Sequence, residues 1–159
     1  MNQDDYRVWK SKIVSKATEL AYTENKLWSN RLRGNCLPVS LLVIDEVRKS
    51  FPKAKVVIGN VVEVRNKSLP NSIKNDIVNF SSNTDLTFKP DFHAWIKIDN
   101  IKFLDIVGPS WFGINEPYFD ENTQLEHKIF HHEILHTDTD VDRFYKRLVK
   151  GQEAKWTNI

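Results

Sequence analysis

Apolar residues return every three or four positions from the beginning of the chain. In DDYRVWKSKIVSKATELAYTEN, Tyr6, Trp9, Ile13, Ala17, Leu20 and Ala21 fall on one side of a helix, and Asp4 and Asp5 are suited to cap its start. KLWSNRLRGN, residues 26–35, breaks the period and reads as a loop. The helical spacing resumes over residues 36–50, where Leu37, Leu41, Ile44 and Val47 line one face. Pro38 is compatible with that helix because the first turn has no intrahelical use for its missing N–H. FPKAK ends the run, and KVVIGNVVEV, rich in valine and interrupted by Gly59-Asn60, predicts a strand.

The second half is less regular. Residues 65–90 are polar with short apolar islands, too long for a bare loop, and predict a short helix around Ile73–Phe80. FHAWIKIDNIKFLDIVGPSWFG has the alternation of a hairpin. LEHKIFHHEILHT is ambiguous in type, with IFHHEIL acceptable as a strand. Asp140 then suits the cap of a last helix, VDRFYKRLVK, with Gly151 as its stop. No repeat, low-complexity tract or linker divides the chain. The expectation is one α+β domain over residues 1–159, with the second helix packed on a small antiparallel sheet flanked by the first and last helices.

The hairpin register carries chemical weight. Ala94, Ile96 and Ile98 alternate with His93, Trp95 and Lys97, while Leu104 and Ile106 alternate with Phe103, Asp105 and Val107. A continuous apolar face requires Ile96 opposite Leu104. Trp95 then lies opposite Asp105, and His93 lies diagonal to it on the same face. That register needs a three-residue loop (Asp99, Asn100 and Ile101) or a bulge. A two-residue turn at Asp99-Asn100 would put His93 and Asp105 on opposite faces.

Composition narrows the classes of partner. The 159 residues carry 23 basic and 21 acidic side chains, a net charge of +2, and are 40% hydrophobic with five Trp and nine Phe. No basic stripe interleaved with aromatics argues for nucleic acid. The polar opening MNQDDYRVWKSK has no apolar signal core, and no apolar run reaches the ~18 residues of a membrane span. The cytosol is therefore the default compartment, with export by a route that uses no cleaved signal also compatible. The pattern says nothing of oligomeric state. A single cysteine excludes an internal disulfide.

That cysteine, Cys36, stands where the second helix begins. Helix N-termini stabilise thiolates through the dipole and unpaired N–H groups. An imidazole takes the thiol proton, and a carboxylate fixes the imidazole's orientation. The Cys36 N–H is a candidate first donor of an oxyanion hole, with Asn30, Asn35 and Trp28 as candidates for the second.

Cys36 opening a helix, then a strand in VVIGNV, then His93-Ala94-Trp95 and Asp105 on the next strand resembles the transglutaminase-like branch of the papain-like cysteine protease superfamily. The resemblance covers roughly residues 30–112, about half of a one-domain chain. It implies a papain/transglutaminase-like core with Cys36 as nucleophile, His93 as general base and acid, and Asp105 as orienting acid. It also implies acyl transfer or hydrolysis at a carboxamide of a protein or peptide, through a Cys-linked thioester and without cofactor or metal. Trp95 and Trp111 are candidate substrate-groove residues, with residues 65–90 bordering the groove. Two departures bear on the substrate: Asp105 precedes Ile-Val-Gly-Pro where many relatives have Pro-Thr, and no Trp or Tyr adjoins Cys36.

Two rival readings compete. His132-Glu133-Ile134-Leu135-His136 is formally H-E-x-x-H, which on a helix would bind zinc through both histidines with Glu133 activating water. Only Asp142 or Glu153 is then left downstream as a third ligand. Asp138-Thr139-Asp140 follows at once as a helix start, so the motif is expected on a strand. A binding module that keeps the fold without turnover is the other alternative, against which the intact Cys36, His93 and Asp105 argue.

Overall fold

The computed structural model describes residues 1–23, 35–66, 68–108, 112–114 and 116–157. In chain order these form α1 (Gln3–Thr23), α2 (Cys36–Ser50), β1 (Lys55–Glu63), α3 (Asn71–Asn79), β2 (His93–Lys97), β3 (Phe103–Asp105), β4 (Phe119–Asp120), α4 (Glu121–Glu126), β5 (Ile129–Leu135) and α5 (Asp138–Thr157). Short 3₁₀ turns follow β1 and α3. The architecture is α+β. Among the described residues no helix is long and apolar enough to cross a membrane.

The strands form one antiparallel sheet in the order β4-β3-β2-β1-β5. Alternation splits β1 and β2 between two interiors. Val56 and Ile58 of β1, Ala94 and Ile96 of β2 and Leu104 of β3 pack with Leu37, Val39, Val43 and Val47 of α2. Val57, Trp95 and Phe103 form a separate buried cluster. Each fully buried Val, Leu or Ile side chain contributes about 1.5–3 kcal/mol, which makes the sheet–α2 interface a principal source of stability. α2 is buried on more than one side, since Pro38, Ser40 and Val43 are buried with the predicted face.

β2 and β3 pair with Ile96 opposite Leu104, the register required by a continuous apolar face. The turn spans residues 99–101, closed by bonds from the Ile98 and Asp99 N–H groups to the Lys102 carbonyl at 2.9 and 3.1 Å. The Asp99 carboxylate accepts from the N–H groups of Ile101 and Lys102 at 2.8 and 2.6 Å, which sets this turn locally.

Gly59 lies inside β1 rather than interrupting it. The β1–β5 register shifts between Ile58 and Gly59, which pair with Leu135 and Glu133, so β5 bulges at Ile134. A Cβ on Gly59 would lie 1.9 Å from the His132 carbonyl oxygen and 3.0 Å from Trp95 Cη2. Glycine is required there by the close approach of another backbone.

Two other sequence expectations change. α5 begins at Asp138, two residues before the expected Asp140 cap, because Thr137 takes that role: its Oγ1 accepts the Asp140 N–H at 3.1 Å and its carbonyl accepts the Val141 N–H at 3.0 Å. The helix also runs through Gly151 to Thr157. An added Cβ on Gly151 would sit 3.1 Å from the Leu86 carbonyl oxygen, so this glycine permits close packing of the 80s segment instead of ending the helix. Arg147 holds the same segment, donating to the carbonyls of Asn83 and Asp85 and lying 4.7 Å over the Phe80 ring.

The apolar pattern does not predict β4 or α4. Asp120 caps α4, accepting the N–H groups of Asn122 and Thr123 at 2.9 and 3.0 Å, while Thr123 Oγ1 accepts the Asp120 N–H at 2.6 Å. Lys10 of α1 donates to the same Asp120 carboxylate, and both side chains are buried. This ion pair ties α1 to the short helix that returns the chain to β5.

Candidate active site

β2 begins at His93 and β3 ends at Asp105, and both alternate with Ala94, Ile96 and Leu104, which pack with α2. Their side chains are buried, and His93 Nε2 lies 2.7 Å from Asp105 Oδ2. Cys36 is the first residue of α2 and is 9% exposed. Its side chain acts on the His93 ring, adding to the influences that raise the pKa of the imidazole. The structure thus pairs His93 with Asp105 and sets the Cys36 side chain where it acts on the same ring.

A fourth side chain completes the cluster. His131 of β5 places Nε2 2.8 Å from the same Asp105 Oδ2. Its ring packs edge-on against Trp95 at 4.9 Å and tilted against Phe103 at 4.5 Å. On its other side, Gln124 Oε1 of α4 accepts the His131 backbone N–H at 2.8 Å and stands 2.9 Å from Nδ1. The second carboxylate oxygen, Asp105 Oδ1, accepts the Gly108 N–H at 3.0 Å. Gly108 adopts φ +74°, a conformation that glycine reaches without steric cost.

The electrostatics follow from these contacts. At His93, burial opposes the charged ring, but the charge and hydrogen bond of Asp105, followed by Cys36, outweigh it and raise the pKa to about 10. At Asp105, burial opposes the carboxylate, but the His93 charge and the bonds from His131 and His93 hold the group well below the usual carboxylate range. Both directions favour an imidazolium–carboxylate pair. At His131, burial lowers the pKa, and the His93 charge adds to this against the pull of Asp105. Burial thus disfavours the charged ring, while geometry sets an acceptor at each ring nitrogen, Asp105 Oδ2 at Nε2 and Gln124 Oε1 at Nδ1, so that Nε2 carries the proton given to the carboxylate.

The other predicted site residues divide. Asn35 is buried at the N-cap of α2 without a side-chain cap bond, adjoining Cys36. Trp28, Asn30 and Trp111 lie outside the described residues. Trp95 does not line a groove: it is 2% exposed and enclosed with Val57 and Phe103 beside the His131 ring. Its alternation places it on the face of His93 and Asp105, but that face is covered here. The 65–90 segment packs through α3 on β5 and through the following turn on α5.

His132 and Glu133 lie on β5, and His136 follows it as an exposed residue. A strand does not converge residues four apart as a helix does. Glu133 instead pairs with Lys97 at 3.0 Å. Among the described residues, two sets have donor atoms within 4.8 Å of one another, the distance that would suit a metal ion: His93, Asp105 and His131, and the more exposed Glu116, Glu126 and His127. In the first set both imidazole nitrogens stand at hydrogen-bond distance from a single oxygen, the geometry of donated protons.

Comparison with family models, curated proteins and solved structures gives no match for the chain.

Proposed function

We propose that this chain is a cysteine acyltransferase or hydrolase of the transglutaminase-like, papain-like type, acting at a carboxamide of a protein or peptide. The observation that carries the reading is the buried His93–Asp105 pair, with Nε2 and Oδ2 2.7 Å apart, and the Cys36 thiol at a helix start acting on the same ring. The order of these residues along the chain matches the family resemblance, which supports a papain-like core around them.

In this reading the Cys36 proton already rests on His93 Nδ1, leaving a thiolate. Asp105, bonded at Nε2, stabilises the resulting imidazolium and holds the ring plane. Cys36 Sγ attacks the carboxamide carbon, and the C=O pair moves onto oxygen beside the N-terminus of α2. Collapse breaks the C–N bond, and His93 gives its proton to the departing amine or ammonia. The thioester is then attacked by water or an amine, whose proton returns to His93 as the C–S bond breaks. Water gives hydrolysis or deamidation, and an amine gives cross-linking.

The test is the rate at which iodoacetamide alkylates native Cys36 as a function of pH, read by intact mass. A catalytic thiol reacts rapidly near neutral pH, and His93→Ala slows it while circular dichroism stays native. A thiol that reacts only when the chain unfolds overturns the proposal. On an identified substrate, Cys36→Ala abolishes turnover. Full activity in that variant excludes the thiol mechanism.

A further inference from the structure

Asp105 is held by more than the proposed mechanism uses. A carboxylate that only orients His93 needs one bond, yet Asp105 Oδ2 also meets His131 Nε2 at 2.8 Å and Oδ1 accepts from Gly108 at 3.0 Å. His131 arrives from β5, which lies beyond β1 and β2 from Asp105 in the sheet order. Two features of the chain make that reach possible. Gly59, opposite both His93 and Glu133, puts no side chain between the histidines' strands. Gln124, on a helix capped by Asp120 and anchored through it to Lys10, binds both the backbone N–H and the ring of His131. The ring is 7% exposed at residue level and enclosed by Trp95 and Phe103.

We propose that His131 is a positioning residue of the thiol site: through its Nε2–H bond to Asp105 it keeps the carboxylate ionised and aimed at His93. This inference rests on the thiol reading above. His131 touches neither the thiol nor the reacting carbonyl in that reading; its hydrogen bond acts through Asp105, and its ring lies 6.1 Å from that of His93. Among the described residues, the titratable groups acting on Asp105 are His93 from β2 and His131 from β5, with the Gly108 N–H adding an uncharged donor. Removing the His131 donor therefore makes Asp105 easier to protonate.

Two substitutions separate positioning from packing. His131→Phe keeps a ring against Trp95 and Phe103 but supplies no donor to Asp105. His131→Gln sacrifices the ring but extends an N–H donor to about the reach of Nε2. Bonds to charged groups are worth enough that His131→Phe is expected to slow Cys36 alkylation about ten- to a hundredfold and to move the acid limb of its pH profile upward. His131→Gln is expected to recover most of the rate and the limb. If the role is packing alone, the order reverses, with Phe near wild type and Gln impaired, and the proposal falls.

A measurement on the unmutated protein guards against a variant that fails to fold. Alkylating Cys36 alters the His93–Asp105 pair, so the ¹⁵N resonances of the His131 ring are expected to shift on alkylation. His131 resonances that do not move overturn the proposal. The two readings fail differently. A native Cys36 that never reacts sinks the thiol reading and this one with it. A reactive Cys36 with an unchanged rate and profile in folded His131→Phe sinks only the role of His131.

Discussion

Asp105→Asn removes one negative charge from the most enclosed point of the site while leaving its volume nearly unchanged. The carboxylate accepts from His93, His131 and the Gly108 N–H. An amide has one oxygen and one NH₂, so no orientation satisfies all three donors. With oxygen toward the histidines, NH₂ confronts the Gly108 N–H. Reversed, NH₂ faces two ring nitrogens that each carry a proton. Leaving a buried charge without its partner costs about 3–5 kcal/mol. Each ~1.4 kcal/mol corresponds to a factor of ten, so the part of that loss borne by the activated thiol lowers the rate by up to about two to three and a half orders of magnitude. The remaining loss falls on the fold and lowers the urea midpoint.

The assay is alkylation of Cys36 across pH, paired with urea unfolding at each pH. Asp105→Asn should also pull down the alkaline limb of the alkylation profile. Burial lowers the His93 pKa, and loss of Asp105 removes the main influence that opposes it. A folded Asp105→Asn protein with wild-type alkylation at every pH would refute the reasoning, because the buried carboxylate would then do nothing for the thiol.

The remaining predictions concern the structure that holds the site. His93 has its pKa raised to about 10 by its partners, so its contribution is fully present below the ~6.5 of an unfolded imidazole and disappears as pH rises toward 10; the urea midpoint should fall over that window, and His93→Gln should flatten the fall. Gly59→Ala forces a Cβ to within 1.9 Å of the His132 carbonyl oxygen and should destabilise the fold by at least about 2 kcal/mol in chemical denaturation, with unchanged stability counting against the close strand approach. Lys10→Met strands the buried Asp120 carboxylate and should cost about 3–5 kcal/mol, seen as a lowered thermal midpoint. The double substitution His132→Ala/His136→Ala should leave Cys36 alkylation within about twofold, since neither residue belongs to the candidate site; a large loss would reopen the H-E-x-x-H reading.

Much of this arrangement was legible along the chain, for a specific physical reason. The apolar alternation of β2 and β3 permits one register that keeps Ile96 against Leu104, and that register puts His93 and Asp105 on a shared face. The Cys36 helix was legible through its spacing, with Pro38 admissible only near its start. Gly151 misled because glycine serves both helix stops and close contacts, and only the neighbouring Leu86 carbonyl distinguishes them. Trp95 misled differently: alternation identifies a face but not what covers it.

What covers that face is the element the apolar pattern could not reveal. α4 is six residues long with no buried side chain, so it has no hydrophobic period to detect, and β4 is only two residues long. The remaining signal was polar: Asp120 and Thr123 at the spacing of a capping box, which fixes the start of a helix whatever its faces bury. From that start Gln124 meets His131, and His131 meets Asp105. Three residues that look unremarkable in sequence, a cap, an amide and a strand histidine, thus connect the α1–α4 ion pair to the candidate site. The histidine run in IFHHEILH draws attention as a metal motif, yet His131, the member outside the formal H-E-x-x-H, is the one that reaches the carboxylate. Strand geometry accounts for this: the sheet face shared with His93 selects His131 and Glu133, and turns His132 away.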